Sequence, residues 1–173
     1  MRNVLIIGCG RHGRIVAEAI AHGGEFRVVG FADDDPARRG AVIDGVPVLG
    51  SWRHSDEPLC FVAVGHNATR RRIFAELVAA GRQVITVISP AAYVSPHARI
   101  GAGTVVLAGA VIQAGATLGE NVLVNAGAVI DHDAEVGDHA HLGLHSTVES
   151  FAKVAPGEQL APGTVRLKNA VAG

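Results

Sequence analysis

The sequence predicts a small Rossmann-like α/β unit followed by a left-handed parallel β-helix, and three observations predict it. An aliphatic residue recurs every six positions from Val94 to Leu160, through Ile100, Val106, Ile112, Leu118, Val124, Ile130, Val136, Leu142, Val148 and Val154. A small residue stands two places before most of them, as at Ala98, Thr104, Ala110, Ala116, Ala128, Ala134, Ala140, Ser146 and Ala152. Ahead of this repeat, short apolar runs alternate with helical segments, and the first run opens into Gly8-Cys9-Gly10-Arg11-His12-Gly13. A period of six is not helical, and alternation by two would not keep the preceding residues small. It fits one flat side of a triangular coil whose aliphatics stack inside. The expected division is residues 1–88 for the α/β unit and 89–173 for the β-helix.

The first element is the apolar run Val4 to Ile7, a strand, which the glycine turn joins to a helix over Ile15 to Ile20. The second run, Phe26 to Phe31, ends in Asp33-Asp34-Asp35, about twenty residues past the last glycine, where a nucleotide-binding fold places its acidic residue. Glycines there admit a phosphate to the backbone and to the amides of the helix start, and an acid at the second strand end accepts bonds from a ribose or base. The third run, Leu59 to Val64, ends in Gly65-His66-Asn67 and leads into a basic helix containing Arg70-Arg71-Arg72. A fourth, Val84 to Ile88, leads through Ser89-Pro90 into the repeat. This β-α-β-β-α-β order holds one nucleotide rather than the two halves of a full NAD fold. The plainer alternatives are a purely structural glycine turn and a solvated arginine face, the latter preferred for at least two of the three arginines.

In the repeat, twelve hexads make four coils of 18 residues, and Gly101, Gly119 and Gly137 recur once per coil, where a tight bend at a corner is expected. From Glu149 onward the aliphatic position persists but small residues and corner glycines give way to Phe151, Glu158 and Arg166. A degenerate final coil serving as a cap is expected there.

Composition sets further limits. The 173 residues carry 15 basic and 16 acidic side chains, without the basic footprint that nucleic acid or an anionic membrane would require. Cys9 and Cys60 both lie in apolar runs, as reduced core thiols of a cytoplasmic protein do. The stretch Val4 to Ile7 is too short for a signal-peptide core or a membrane span.

Histidine is concentrated in the second half, at His97, His132, His139, His141 and His145. The sharpest group is Ile130-Asp131-His132-Asp133, an imidazole between two carboxylates just past an inward aliphatic and therefore at a corner. A carboxylate that fixes the tautomer and stabilises the imidazolium makes such a histidine a natural general base. Turn chemistry explains the same residues without catalysis. Zinc held by His97, His132 and His141 from different coils is a further alternative, disfavoured because 35 residues is not a whole number of coils. No metal is expected.

Four stretches now carry a family resemblance: Gly8 to Gly13; Val29 to Pro36 with Gly45 to Gly50; Gly65-His66-Asn67; and Asn125 to Asp133 with Gly137 to His141. Together, over Met1 to about Leu142, the chain resembles the bacterial sugar O- and N-acyltransferases, typified by sialic acid O-acetyltransferases and UDP-4-amino-sugar N-acetyltransferases. The resemblance implies acetyl transfer from acetyl-CoA to an amine or hydroxyl of a nucleotide-linked sugar, in a homotrimer with the donor between neighbouring helices. By position, His132 resembles the general base and Asp133 its carboxylate partner. Gly10, His12, Asp33, Asp34, Gly65 and Asn67 resemble the nucleotide-sugar contacts, while His141 and Gly143 resemble contacts of acetyl-CoA. The departure after Glu149, with His145 where relatives have a small residue, leaves two other readings: the same scaffold with another donor, or a nucleotide-sugar-binding assembly subunit without turnover.

Overall fold

The computed structural model describes residues 1–168. Strand β1 (Arg2–Ile7) runs into α1 (Arg11–Gly23), and β2 (Phe26–Ala32) returns parallel to β1. A hairpin of β3 (Val42–Ile43) and β4 (Val46–Pro47) follows, turning through Asp44 and Gly45, both at positive φ. Then come β5 (Leu59–Val62), α2 (Asn67–Ala79) and β6 (Gln83–Val84). The sheet order is β2-β1-β5-β6, all parallel. Val4, Leu5, Ile6 and Ile7 are all buried, as strands covered on both faces must be.

The β-helix has three parallel faces. The first stacks Val87–Ile88, Val105–Val106, Leu123–Val124, His141–Leu142 and Gln159–Leu160. The second stacks Tyr93–Val94, Val111–Ile112, Val129–Ile130, Thr147–Val148 and Val165–Arg166. The third stacks Arg99–Ile100, Thr117–Leu118, Glu135–Val136 and Lys153–Val154. From Val94 to Leu160 the second residue of each pair points inward, so the left-handed prism holds the aliphatic ladder that the period of six predicts.

Three details differ from the sequence reading. The run Val84 to Ile88 is not one strand: Val84 pairs with Cys60 in the sheet, while Val87–Ile88 pairs with Val105–Val106 as the first rung of the prism. Gly101, Gly119 and Gly137 are not the bends. A Cβ on them would lie 2.5 Å from the Gly119 carbonyl carbon, 2.7 Å from the Asp138 nitrogen and 2.5 Å from the Pro156 nitrogen, so close stacking of coils requires them. The bends fall two residues later, at Gly103, Asn121 and His139, with φ of 71°, 55° and 61°. Finally, the rungs after Glu149 stay in regular parallel register, with Gly157 and Gly163 at left-handed corners. What changes there is the interior, where Glu158 and Arg166 occupy inward positions and form a largely buried ion pair.

The two units share a core. Val16, Ala19 and Ile20 of α1 pack with Val87, Val105, Leu107 and Leu123 of the first face. This explains why the outward positions of that face begin as valine and leucine and turn polar only at His141, which meets His12 at the start of α1, and at Gln159. A buried arginine latches the joint. Arg70, 2% exposed, donates from Nη1 to the carbonyls of Val64 (3.2 Å) and Gly65 (3.1 Å). It also donates to those of Asn121 (3.2 Å), His139 (2.7 Å) and Ala140 (3.2 Å) across the joint. Burial pushes its guanidinium down to about 10, still charged at neutral pH. Arg71 and Arg72 are exposed, and Arg72 pairs with Glu76 at 2.6 Å.

Candidate active site

The carboxyl ends of β1, β2 and β5 open on a cleft of about 470 Å³ lined by Gly8, Gly10, His12, Asp33, Arg38 and Gly65, among others. Gly8 takes φ 103°, and a Cβ on Gly13 would collide with the Gly8 carbonyl, so these two glycines close the turn against the helix. Gly10 precedes the first turn of α1 without a side-chain cap, leaving amides at the helix start free to meet an anion.

Asp33 is the organised acid of this cleft. Burial pushes its carboxyl up, but bonds from the Cys9 thiol (3.1 Å), the Asp35 amide (3.0 Å) and the Cys9 amide (3.3 Å), with the Arg38 charge, outweigh burial and hold it below the usual range. The Cys9 thiol is raised by burial and also accepts a bond from Arg38 Nη1 at 3.3 Å. Asp34 turns elsewhere, accepting from Ser51 Oγ at 2.6 Å and Arg53 Nη1 at 3.3 Å.

At the back of the cleft two histidines meet across the joint. Burial, then the neighbouring His141 and Arg70, pushes His12 down to about 4. Burial and Arg70 lower His141 as well, with the Gly65 backbone opposing them. Both are therefore neutral at pH 7, and His12 Nε2 and His141 Nδ1 are buried without a partner. The orphaned nitrogen of His12, which lines the cleft, can take a ligand hydroxyl or carbonyl, with His141 packed behind it. Asn67 donates from Nδ2 to the Gly157 carbonyl at 2.9 Å across the joint, while its Oδ1 is likewise buried without a partner. Gly143 is explained by coil stacking, since a Cβ there would lie 2.6 Å from the Leu160 carbonyl oxygen, and its amide donates to that same carbonyl at 3.0 Å.

His132 sits on the corner between the second and third faces. Its Nδ1 lies 2.9 Å from Asp133 Oδ2, and its amide donates to Asp131 Oδ1 at 2.7 Å. Asp133 holds φ 58°, a left-handed position that Asp tolerates. The imidazole is about half-exposed, with side-chain exposure of 49%, and the Asp133 bond leaves Nε2 as the free nitrogen. His97 lies on the same corner two coils earlier, in register with Asp133 rather than with His132, roughly 10 Å away at strand spacing. Among the described residues, no group of three or more His, Cys, Asp or Glu side chains is placed to hold a metal ion.

Residues 3–77 match the PglD N-terminal domain. Over 108 residues the chain is 32% identical to UDP-N-acetylbacillosamine N-acetyltransferase of Bacillus subtilis strain 168; the match covers 60% of this chain and spans half the length of that relative. The acetyltransferase domain of PglB from Neisseria gonorrhoeae superposes with a TM-score of 0.82 at 32% identity, covering 96% of this chain and 92% of that one. A histidine variant of perosamine N-acetyltransferase from Caulobacter crescentus, bound to CoA and GDP-perosamine, gives 0.80 at 32% identity, covering 94% and 84%. The chain belongs to the bacterial sugar acyltransferase family. Within this member of the family, the sequence-derived site residues fall into two groups that one chain does not bring together. Gly10, His12, Asp33, Gly65 and His141 gather at the cleft beside the first face, whereas His132 and Asp133 occupy the corner opposite that face. Sequence reasoning missed Arg70, Cys9 and Arg38 as members of the arrangement. Only Arg70 carried a signal, as a cation in the helix that leads out of the third strand.

Proposed function

We propose that this chain transfers the acetyl group of acetyl-CoA to the amine of a nucleotide-linked amino sugar, working in the cytoplasm as a homotrimer. The observation that carries this reading is the His132–Asp133 pair at 2.9 Å, with Nε2 free on an exposed corner. As the amine attacks the thioester carbonyl, His132 Nε2 accepts its proton, and Asp133 stabilises the imidazolium through Nδ1–H. When the tetrahedral adduct collapses, the C–S bond breaks and His132 returns the proton to the departing sulfur, giving amide and free thiol. No covalent intermediate on the protein is required. An amine acceptor is favoured because the relatives above are named as N-acetyltransferases.

The character of the three faces supports the trimer. The first is covered by α1, and the third presents Arg99, Thr117, Glu135 and Lys153, with a Glu135–Lys153 ion pair at 2.9 Å. The second presents Tyr93, Val111, Val129, Thr147 and Val165, apolar and uncovered, with Tyr93 at 58% and Val165 at 54% exposure. A copy seated on that face stands beside the His132 corner, which supports a site made of one chain's base and its neighbour's cleft. Purified protein incubated with acetyl-CoA and UDP- or GDP-linked 4-amino sugars should yield the acetylated sugar by mass spectrometry. His132→Ala should lower turnover by about 10²- to 10⁴-fold. A His132→Ala protein as fast as the parent would overturn the assignment.

A further inference from the structure

We propose that Phe151 is a positioning residue that fixes the imidazole of His132 for proton transfer; this rests on the reading of His132 as the general base. Phe151 stands one coil beyond Asp133 at the same corner and takes φ 60°. Asn, Asp and His enter the left-handed region readily, but a bulky aromatic there is an outlier, and such outliers persist where the surroundings hold them for a purpose. Gly115, on the same corner, and Gly127, Gly157 and Gly163, on the others, show the residue this bend accepts without strain.

The ring is not there to fill the core, since it is 50% exposed. Its contacts point to the base instead. The rings of His132 and Phe151 meet edge to face, with centroids 5.3 Å apart and planes at 88°. The Phe151 amide donates to the His132 carbonyl at 3.3 Å, so the two residues are joined by backbone as well as side chain. Lys168 Nζ lies 4.7 Å from the Phe151 centroid. Its own amide donates to Glu149 Oε2 at 2.7 Å, which anchors the lysine over the ring. Asp133 restrains the imidazole at Nδ1 and Phe151 restrains it through its ring contact. Together they limit rotation about the last side-chain bond and keep Nε2 pointed outward. A phenylalanine cannot exchange protons, so its effect is confined to orientation.

The test uses Phe151→Gly, which relieves the left-handed strain, and Phe151→Tyr, which keeps the ring. Histidine labelled with nitrogen-15 reports the His132 tautomer in the whole protein without substrate, above the histidine titration range. The parent and Phe151→Tyr should show the Nδ1–H tautomer alone, whereas Phe151→Gly should show exchange broadening or a mixture. In turnover, Phe151→Gly should lose about ten- to a hundredfold in kcat with KM for both substrates little changed, while its thermal midpoint stays level or rises. A merely structural side chain would move the thermal midpoint and leave the tautomer alone. An unchanged tautomer together with parental kcat in Phe151→Gly would overturn the proposal. If His132→Ala itself retained turnover, the assignment of the base would fail first, and the tautomer measurement would still report on Phe151. Phe151→Asn, which also tolerates the left-handed bend, replaces the glycine variant if that one does not fold.

Discussion

His12 ties the cleft to pH. Its imidazole is held at about 4 against an ordinary 6.5 by burial and by the facing His141 and Arg70. Between those values the unfolded chain binds a proton that the folded chain refuses. Stability from this residue is therefore full above about 6.5 and is lost as pH falls towards 4, a component on the order of 3 kcal/mol. Urea midpoints recorded across that window should fall steeply for the parent and less steeply for His12→Gln. At this scale the sequence was informative wherever chemistry is local. The Asp-His-Asp corner could be read directly, because neighbouring residues on one bend must meet. Asp33 and Asp34 could not be told apart, since one faces the Cys9 thiol and the other faces Ser51 and Arg53, partners at least seventeen residues away.

The repeating elements were legible in register but not in the reason for every residue. The aliphatic period fixes which side chains enter the prism, and every rung from Val94 to Leu160 follows it. The glycine period carries two causes that look alike in a sequence: stacking at Gly101, Gly119 and Gly137, and positive φ at Gly103, Gly115 and Gly127. Substitution separates them. Gly119→Ala drives a Cβ into the Asp138 backbone and should cost about 1–3 kcal/mol through overpacking. Gly163→Ala meets open space and bears only the left-handed penalty, about 1–2 kcal/mol, without displacing a neighbouring coil. Thermal melts give the relative costs, and crystal structures of the two variants should show a shifted coil only in the first. The Asp44-Gly45 turn between two apolar pairs was a hairpin signal present in the sequence and passed over.

Across the whole molecule, the two units were separable in sequence, while the contacts that join them were not. Nothing in a chain announces that Arg70 of one helix will find carbonyls 51, 69 and 70 residues later. Arg70→Leu leaves those carbonyls and the charge-sized space unsatisfied and should cost about 3 kcal/mol. Because Trp52 is the one tryptophan and lies in the α/β unit, its fluorescence transition should then separate from the far-ultraviolet signal of the β-helix. Self-association is tested on the second face. Val129→Glu should reduce the mass measured by light scattering from three chains to one and abolish turnover, with the fold of each chain intact.

All five acceptors of the latch are backbone carbonyls, and three of them belong to the β-helix, at or beside its left-handed corners. A carbonyl is offered by any amino acid, so the receiving side of the joint constrains conformation and not residue identity. An α/β unit that keeps an arginine at this helix position can therefore hold the latch against any β-helix whose corners take the same bend, and co-adaptation of side chains is confined to the apolar contact of α1 with the first face.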